Sequence, residues 1–176
     1  MNFILLTFLI LALALVSSTR VYAETFLTVQ QAQEAIWQGQ TLTPFTVKLS
    51  KEQRKSIRAA SGTRVRNSEI KAWRTAAGDW FIFDQVIGKH ENIDLAIGIT
   101  HDGKVKDIEI LTYRETYGGE IRNPKWLAQF FGKDYKEHLK LDKQIKNISG
   151  ATLSCRNVTD GVNRLTHTWQ QVLQYL

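Results

Sequence analysis

One cysteine, Cys155, stands in 176 residues, so no intramolecular disulfide is possible and no zinc or iron–sulfur site can be built on thiolates. The four histidines, His90, His101, His138 and His167, are scattered, with no HExxH and no His/Cys cluster at ligand spacing. No metal site is expected. CxxCH, GxGxxG, P-loop and GxSxG patterns are also missing, which leaves no motif for haem attachment, a Rossmann dinucleotide site, a nucleotide triphosphate cradle or a serine nucleophile elbow. Past residue 16 no apolar run approaches the roughly 20 residues that span a bilayer. Without disulfides or metals, the fold must rest on its hydrophobic core.

The apolar run that does exist, Phe3 to Val16, is followed by Ser17-Ser18-Thr19-Arg20 and then Val21-Tyr22-Ala23 before Glu24. That pattern predicts a secretory signal over 1–23, although its first residues carry no Lys or Arg; an uncleaved N-terminal anchor is the alternative. The exported part is then long enough for one core. Twenty-three Lys and Arg against 17 Asp and Glu give a formal charge of +6, which suits anionic ligands or an anionic membrane surface. No nucleic-acid-binding motif accompanies that charge, so nucleic acid is not an expected partner.

Along the chain, Thr28 and Ser50 each stand three residues before a glutamine, predicting capped helices over about 28–38 and from Ser50 to Gly62. Thr41 to Leu49, with Pro44, reads as extended chain between them. From Glu69 the period changes: Ile70–Thr75, Trp80–Ile87, Ile93–Thr100 and Val105–Tyr113 are strand-like runs, and Asp102-Gly103 marks a hairpin. In the third run, Ala96 and Gly98 leave room on one face for a helix or for a flat ligand. Asn123-Pro124 opens a third helix whose stripe is Trp126, Leu127, Phe130 and Phe131. The class is α+β: an antiparallel meander flanked by helices, one domain after the signal. We divide it as 1–23 signal, 24–79 N-terminal helical and extended region, and 80–176 ligand-binding domain.

The most informative stretch is Asn147 to Ser154. Val158, Val162, Leu165, Trp169, Val172 and Leu176 recur at steps of three and four, which places the start of a last helix near Leu153 or Ser154. A helix start offers unpartnered N–H groups and partial positive charge, and Gly150, Ser149 and Thr152 beside it suit a phosphate. Ordinary helix capping by Ser or Thr explains the same residues without a ligand. Cys155, in the first turn, is either a reactive thiol of lowered pKa or a buried, inert one.

Ser149-Gly150-Ala151-Thr152 resembles the Ser/Thr-Gly-Ala-Thr signature of the FMN-binding domain family, which includes flavin subunits of ion-pumping oxidoreductases. A second block in matching order precedes it: Gly88-Lys89-His90-Glu91, His101-Asp102-Gly103-Lys104, Arg114-Glu115-Thr116-Tyr117-Gly118, then Trp126 and Phe130-Phe131-Gly132-Lys133. Tyr117 stands where the family has proline, and Lys146 where it commonly has aspartate. The resemblance implies FMN, with its phosphate at Ser149, Gly150, Ala151, Thr152 and Ser154 and its ring near Glu115, Thr116 and Tyr117 or Tyr113. It further implies that a flavin transferase esterifies Thr152, and that membrane redox proteins act as donor or acceptor. The expected function is an exported, periplasmic, membrane-associated electron carrier rather than a stand-alone enzyme. The alternatives are a non-redox interaction module that has lost the cofactor and a small flavin reductase. Without the family, Glu115 would simply pair with Arg114 or Arg122.

Overall fold

The computed structural model describes residues 24–176, so the expected secretory segment at 1–23 lies outside the described residues. Two capping boxes open the first two helices as expected. Thr28 and Gln31 cap α1 (Val29–Ile36), and Ser50 and Gln53 cap α2 (Lys51–Ser61), each pair exchanging side-chain and backbone hydrogen bonds.

Among the described residues, six strands form one antiparallel sheet, β1 (Glu24–Thr25), β2 (Thr43–Lys48), β3 (Glu69–Arg74), β4 (Trp80–Ile87), β5 (Asn92–Ile99) and β6 (Val105–Tyr113), in the order β1-β6-β5-β4-β3-β2. Four of these were expected and two were not. β2 carries Pro44, which a sheet tolerates because β2 is an edge strand. β1 has only two residues, with no period to read; Phe26 N–H extends its pairing by donating to the Leu111 carbonyl at 2.8 Å. The line drawn after residue 79 falls in the β3–β4 hairpin, and the sheet runs across it.

The two faces of the sheet are covered differently. On one, α1 sets Ala32, Ile36 and Trp37 against Phe81, Ala96 and Leu111. The room beside Ala96 and Gly98 is therefore filled by a helix: a Cβ on Gly98 would lie 2.5 Å from Ile36 Cγ2. The other face carries the larger core, where Ile82, Ile93, Leu95, Ile97, Ile108 and Ile110 meet α2, the short helix α3 (Pro124–Leu127) and the long α4 (Thr152–Gln171). Arg164 on α4 pairs with Asp84 on β4, both largely buried. Asn163 clamps the connection before α4, accepting from Leu139 N–H at 2.8 Å and donating to the Leu139 carbonyl at 2.7 Å. Among the described residues, no helix is long and apolar enough to cross a membrane.

Candidate functional site

Two segments converge at the β1 edge of the sheet: the loop leaving β6 and the turn entering α4. Tyr113, the last residue of β6, is buried, and its hydroxyl joins them, donating to the Tyr117 carbonyl at 2.5 Å and lying 3.0 Å from Ser154 Oγ. Gly118 completes the contact in a left-handed conformation (φ 94°). A Cβ there would sit 2.6 Å from the Tyr113 hydroxyl and 3.3 Å from Ala151 Cβ. An open cleft of about 430 Å³ results, lined by Thr116 to Glu120 and Arg122 on one side, Ser149 and Gly150 on another, and Glu24 and Phe26 behind.

The turn itself is built for a helix start without a cap. Gly150 adopts φ 85°, which favours glycine, and Ala151 occupies the N-cap position with no side-chain hydrogen bond to the first turn of α4. Ordinary Ser or Thr capping is therefore not what these residues do. Among the described residues the first N–H groups of α4 have no side-chain partner, which is the condition under which an anion is favoured there. Thr152 is half-buried beside the cleft, and its Oγ1 accepts from Asn147 Nδ2 at 3.0 Å. Asn147 in turn accepts from Ile148 N–H at 2.8 Å, which fixes its amide.

The expected residues do not all face the cleft. Ser149, Gly150, Thr116 and Tyr117 line the cleft, with Tyr117 83 % exposed. Ala151 and Ser154 are buried beneath it, Ser154 being engaged by Tyr113. Tyr113 is a pin inside the fold rather than an exposed aromatic surface. Glu115 turns away toward the loop after β4, accepting from His90 N–H at 2.5 Å and Glu91 N–H at 3.0 Å. Burial would raise its pKa, but the N–H groups of Glu91, His90 and Lys89 outweigh it and hold the carboxyl below its ordinary value. It pairs with neither candidate arginine: Arg114 bonds Asp94 at 2.6 Å, and Arg122 lies over the Phe26 ring at 4.4 Å.

Residues 88–167 match the FMN-binding domain family. The chain is also similar to one of the subunits of the Na(+)-translocating ferredoxin:NAD(+) oxidoreductase complex of Acetobacterium woodii, 33% identical over 89 residues. That alignment covers 46% of this chain and 43% of the relative, so the chain spans less than half of the relative's length. Both findings support FMN as the cofactor of this segment.

The segment that matches the FMN-binding domain supplies only part of the cleft wall. Glu24 and Phe26 precede it in sequence and arrive through β1 pairing on β6, while Arg122 is inside it and belongs to neither quoted motif. No local pattern marks Glu24 or Phe26. A lone arginine one residue before Asn123-Pro124 carries no signal either, until Phe26 is placed beneath it. Lys146 holds its place through its backbone, which accepts from Trp126 Nε1 at 2.7 Å and donates to Gln129 Oε1 at 2.7 Å, leaving the side chain exposed. Cys155 is fully buried and free, and burial pushes its thiol pKa up, as an inert thiol requires. Among the described residues no group of His, Cys, Asp or Glu is arranged to hold a metal ion.

Proposed function

We propose that the chain is an exported FMN-carrying electron-transfer protein, serving between a membrane redox donor and an extracytoplasmic acceptor. The observation that carries this reading is the uncapped start of α4, which opens beside a cleft shared with the Thr116–Gly119 loop, inside the segment that matches the FMN-binding domain. The unpartnered N–H groups and Arg122 favour the cofactor's phosphate electrostatically. Tyr117, exposed at the cleft, offers aromatic surface to its flat ring. A bound flavin supplies the redox chemistry, and the protein contributes position and environment. Thr152 is the residue we assign to a phosphoester made by a flavin transferase; its hydroxyl is held by Asn147 at the helix start. Covalent attachment suits an exported protein, because a lost cofactor is not easily replaced outside the cytoplasm. The similarity to a subunit of an ion-translocating oxidoreductase complex supports a membrane-bound redox partner.

Thr152→Val tests the assignment, since it keeps the β-branched shape and removes the hydroxyl. Losing the Asn147 contact should cost about 1 kcal/mol, so the fold survives. Co-expressed with a flavin transferase and exported, wild type should keep flavin fluorescence after denaturing electrophoresis while the variant shows none. A dark wild-type band from yellow native protein would instead mean non-covalent FMN, with Lys146 the residue to change next. Native protein that stays colourless after adding FMN would replace the flavin reading by a non-redox interaction module.

A further inference from the structure

The positive charge of this chain is concentrated in one place. Residues 43–74, which form β2, α2, β3 and their connections, hold nine of the 23 Lys and Arg but only two of the 17 Asp and Glu, a net +7. The remaining residues hold fourteen against fifteen, a net −1. Lys48, Lys51, Lys55, Arg58, Arg64, Arg66 and Lys71 are exposed, and none of the nine takes part in an ion pair among the described residues. The whole segment lies outside the part that matches the FMN-binding domain, so the cofactor's own charge does not account for it.

Exposed apolar side chains sit among these cations. Phe45 on β2 is 37% exposed, and its ring meets Trp80 edge-on at 5.5 Å. Arg74 lies over the same Trp80 at 5.2 Å and donates to the Leu176 carbonyl at 2.7 Å, which brings the exposed Leu176 alongside. Tyr175, 74% exposed, lines a shallow groove together with Gln53 and Ser56 of α2. Cations also occupy both sides of the sheet edge, since Lys71 lies over Phe83 on the α1 face while α2 covers the other.

We propose that the β2–β3–α2 edge docks on an anionic phospholipid surface. Unpaired Lys and Arg with interspersed Phe, Tyr and Leu are the composition of interfacial membrane binding, in which headgroups meet the cations and apolar side chains enter the boundary. An acidic protein would favour a compact patch with an apolar centre depleted of Lys, whereas these cations wrap an entire edge. β2 and β1 are the two ends of the sheet, about 24 Å apart at five strand spacings. Docking by the β2 edge therefore leaves the cleft at β1 open to the aqueous side. The proposal does not depend on the flavin reading.

Sedimentation of the exported, purified chain with vesicles tests it. The protein should pellet with phosphatidylcholine vesicles containing phosphatidylglycerol at low salt, stay in solution with phosphatidylcholine alone, and be released at about 0.5 M salt. Changing Lys55, Arg58, Arg64 and Arg66 together to Gln should weaken binding at least about 100-fold, from a factor of about five per cation. Those side chains make no hydrogen bond among the described residues, so the circular dichroism of the variant should match wild type; should it not fold, the salt and lipid dependence of wild type still decides. Changing Lys125, Lys136, Lys140 and Lys143 together to Gln, far from this edge in sequence, should leave most of the binding. Equal binding to both vesicle types, equal loss in the two four-residue variants, or no binding to anionic vesicles would overturn the proposal. Retention on immobilised polyglutamate without vesicle binding would point to an acidic protein instead.

Discussion

Tyr113→Phe removes one oxygen at the point where the loop after β6 meets α4. The hydroxyl donates to the Tyr117 carbonyl and is bonded to Ser154 Oγ. Tyr117 is exposed, so water can satisfy its carbonyl after the change; Ser154 is buried and must turn to its own helix backbone or lose its partner. The expected loss is about 1–2 kcal/mol. For a domain of this size that lowers Tm by roughly 2–8 °C, measured by calorimetry or circular dichroism. Ser154→Ala removes one of the two bonds, and the double variant should lose less than the sum of the singles, with a coupling of about 0.5–1 kcal/mol. Melting within about 1 °C of wild type, or strict additivity, would refute the pin.

The same residue gives a pH signature. Burial raises the Tyr113 pKa above its ordinary 10.0, the Ser154 hydrogen bond offsets part of that, and the negative charges of Glu115 and Glu120 add to it. A group raised on folding contributes stability that is present below its unfolded pKa and lost as pH climbs through the folded one. Phenylalanine has no such loss. The stability gap between wild type and Tyr113→Phe should therefore narrow as pH rises above about 10, in alkaline urea titrations.

Gly103→Ala probes the β5–β6 hairpin: φ is 86°, and the new Cβ would lie 2.3 Å from Trp169 Cζ3, so strain and overpacking together should cost about 2–5 kcal/mol. A Tm within about 2 °C of wild type would show that Trp169 yields easily. Glu115→Gln should speed amide exchange at His90 and Glu91, whose N–H groups the carboxylate holds. Because the Glu115 pKa is lowered on folding, its contribution is present above the ordinary 4.5 and lost as pH falls through the folded value, so the variant should show a shallower loss of stability in acid; unchanged exchange and an unchanged acid profile would remove Glu115 as the anchor of that loop.

What the sequence carried depended on whether the signal was local. Capping boxes at Thr28 and Ser50, the Asp102-Gly103 turn and the Asn123-Pro124 start are decided within four residues, and each is present. β1 and β2 are decided by partners far along the chain, β6 and β3, and neither has a period of its own strong enough to announce a strand. The same division runs through the site. At about 100° per residue, Ser154 lies only about 40° from the Val158 stripe, so helix phase alone directs its hydroxyl inward, while Leu153 lies about 140° away and is exposed. Thr152 lies about 120° from the stripe on the side opposite Leu153, off the apolar face, and is half-buried with its hydroxyl bonded by Asn147. Helix phase thus separates the inward Ser154 from the outward Leu153 and Thr152 once it is applied to the first turn as well as to the body of the helix. The opposite wall was not: Phe26 is brought in by a two-residue strand pairing 87 residues away, and only then does Arg122 have a ring to lie over. A motif can therefore locate the helix start of such a site while leaving unread the residues that close it, because those are positioned by sheet pairing.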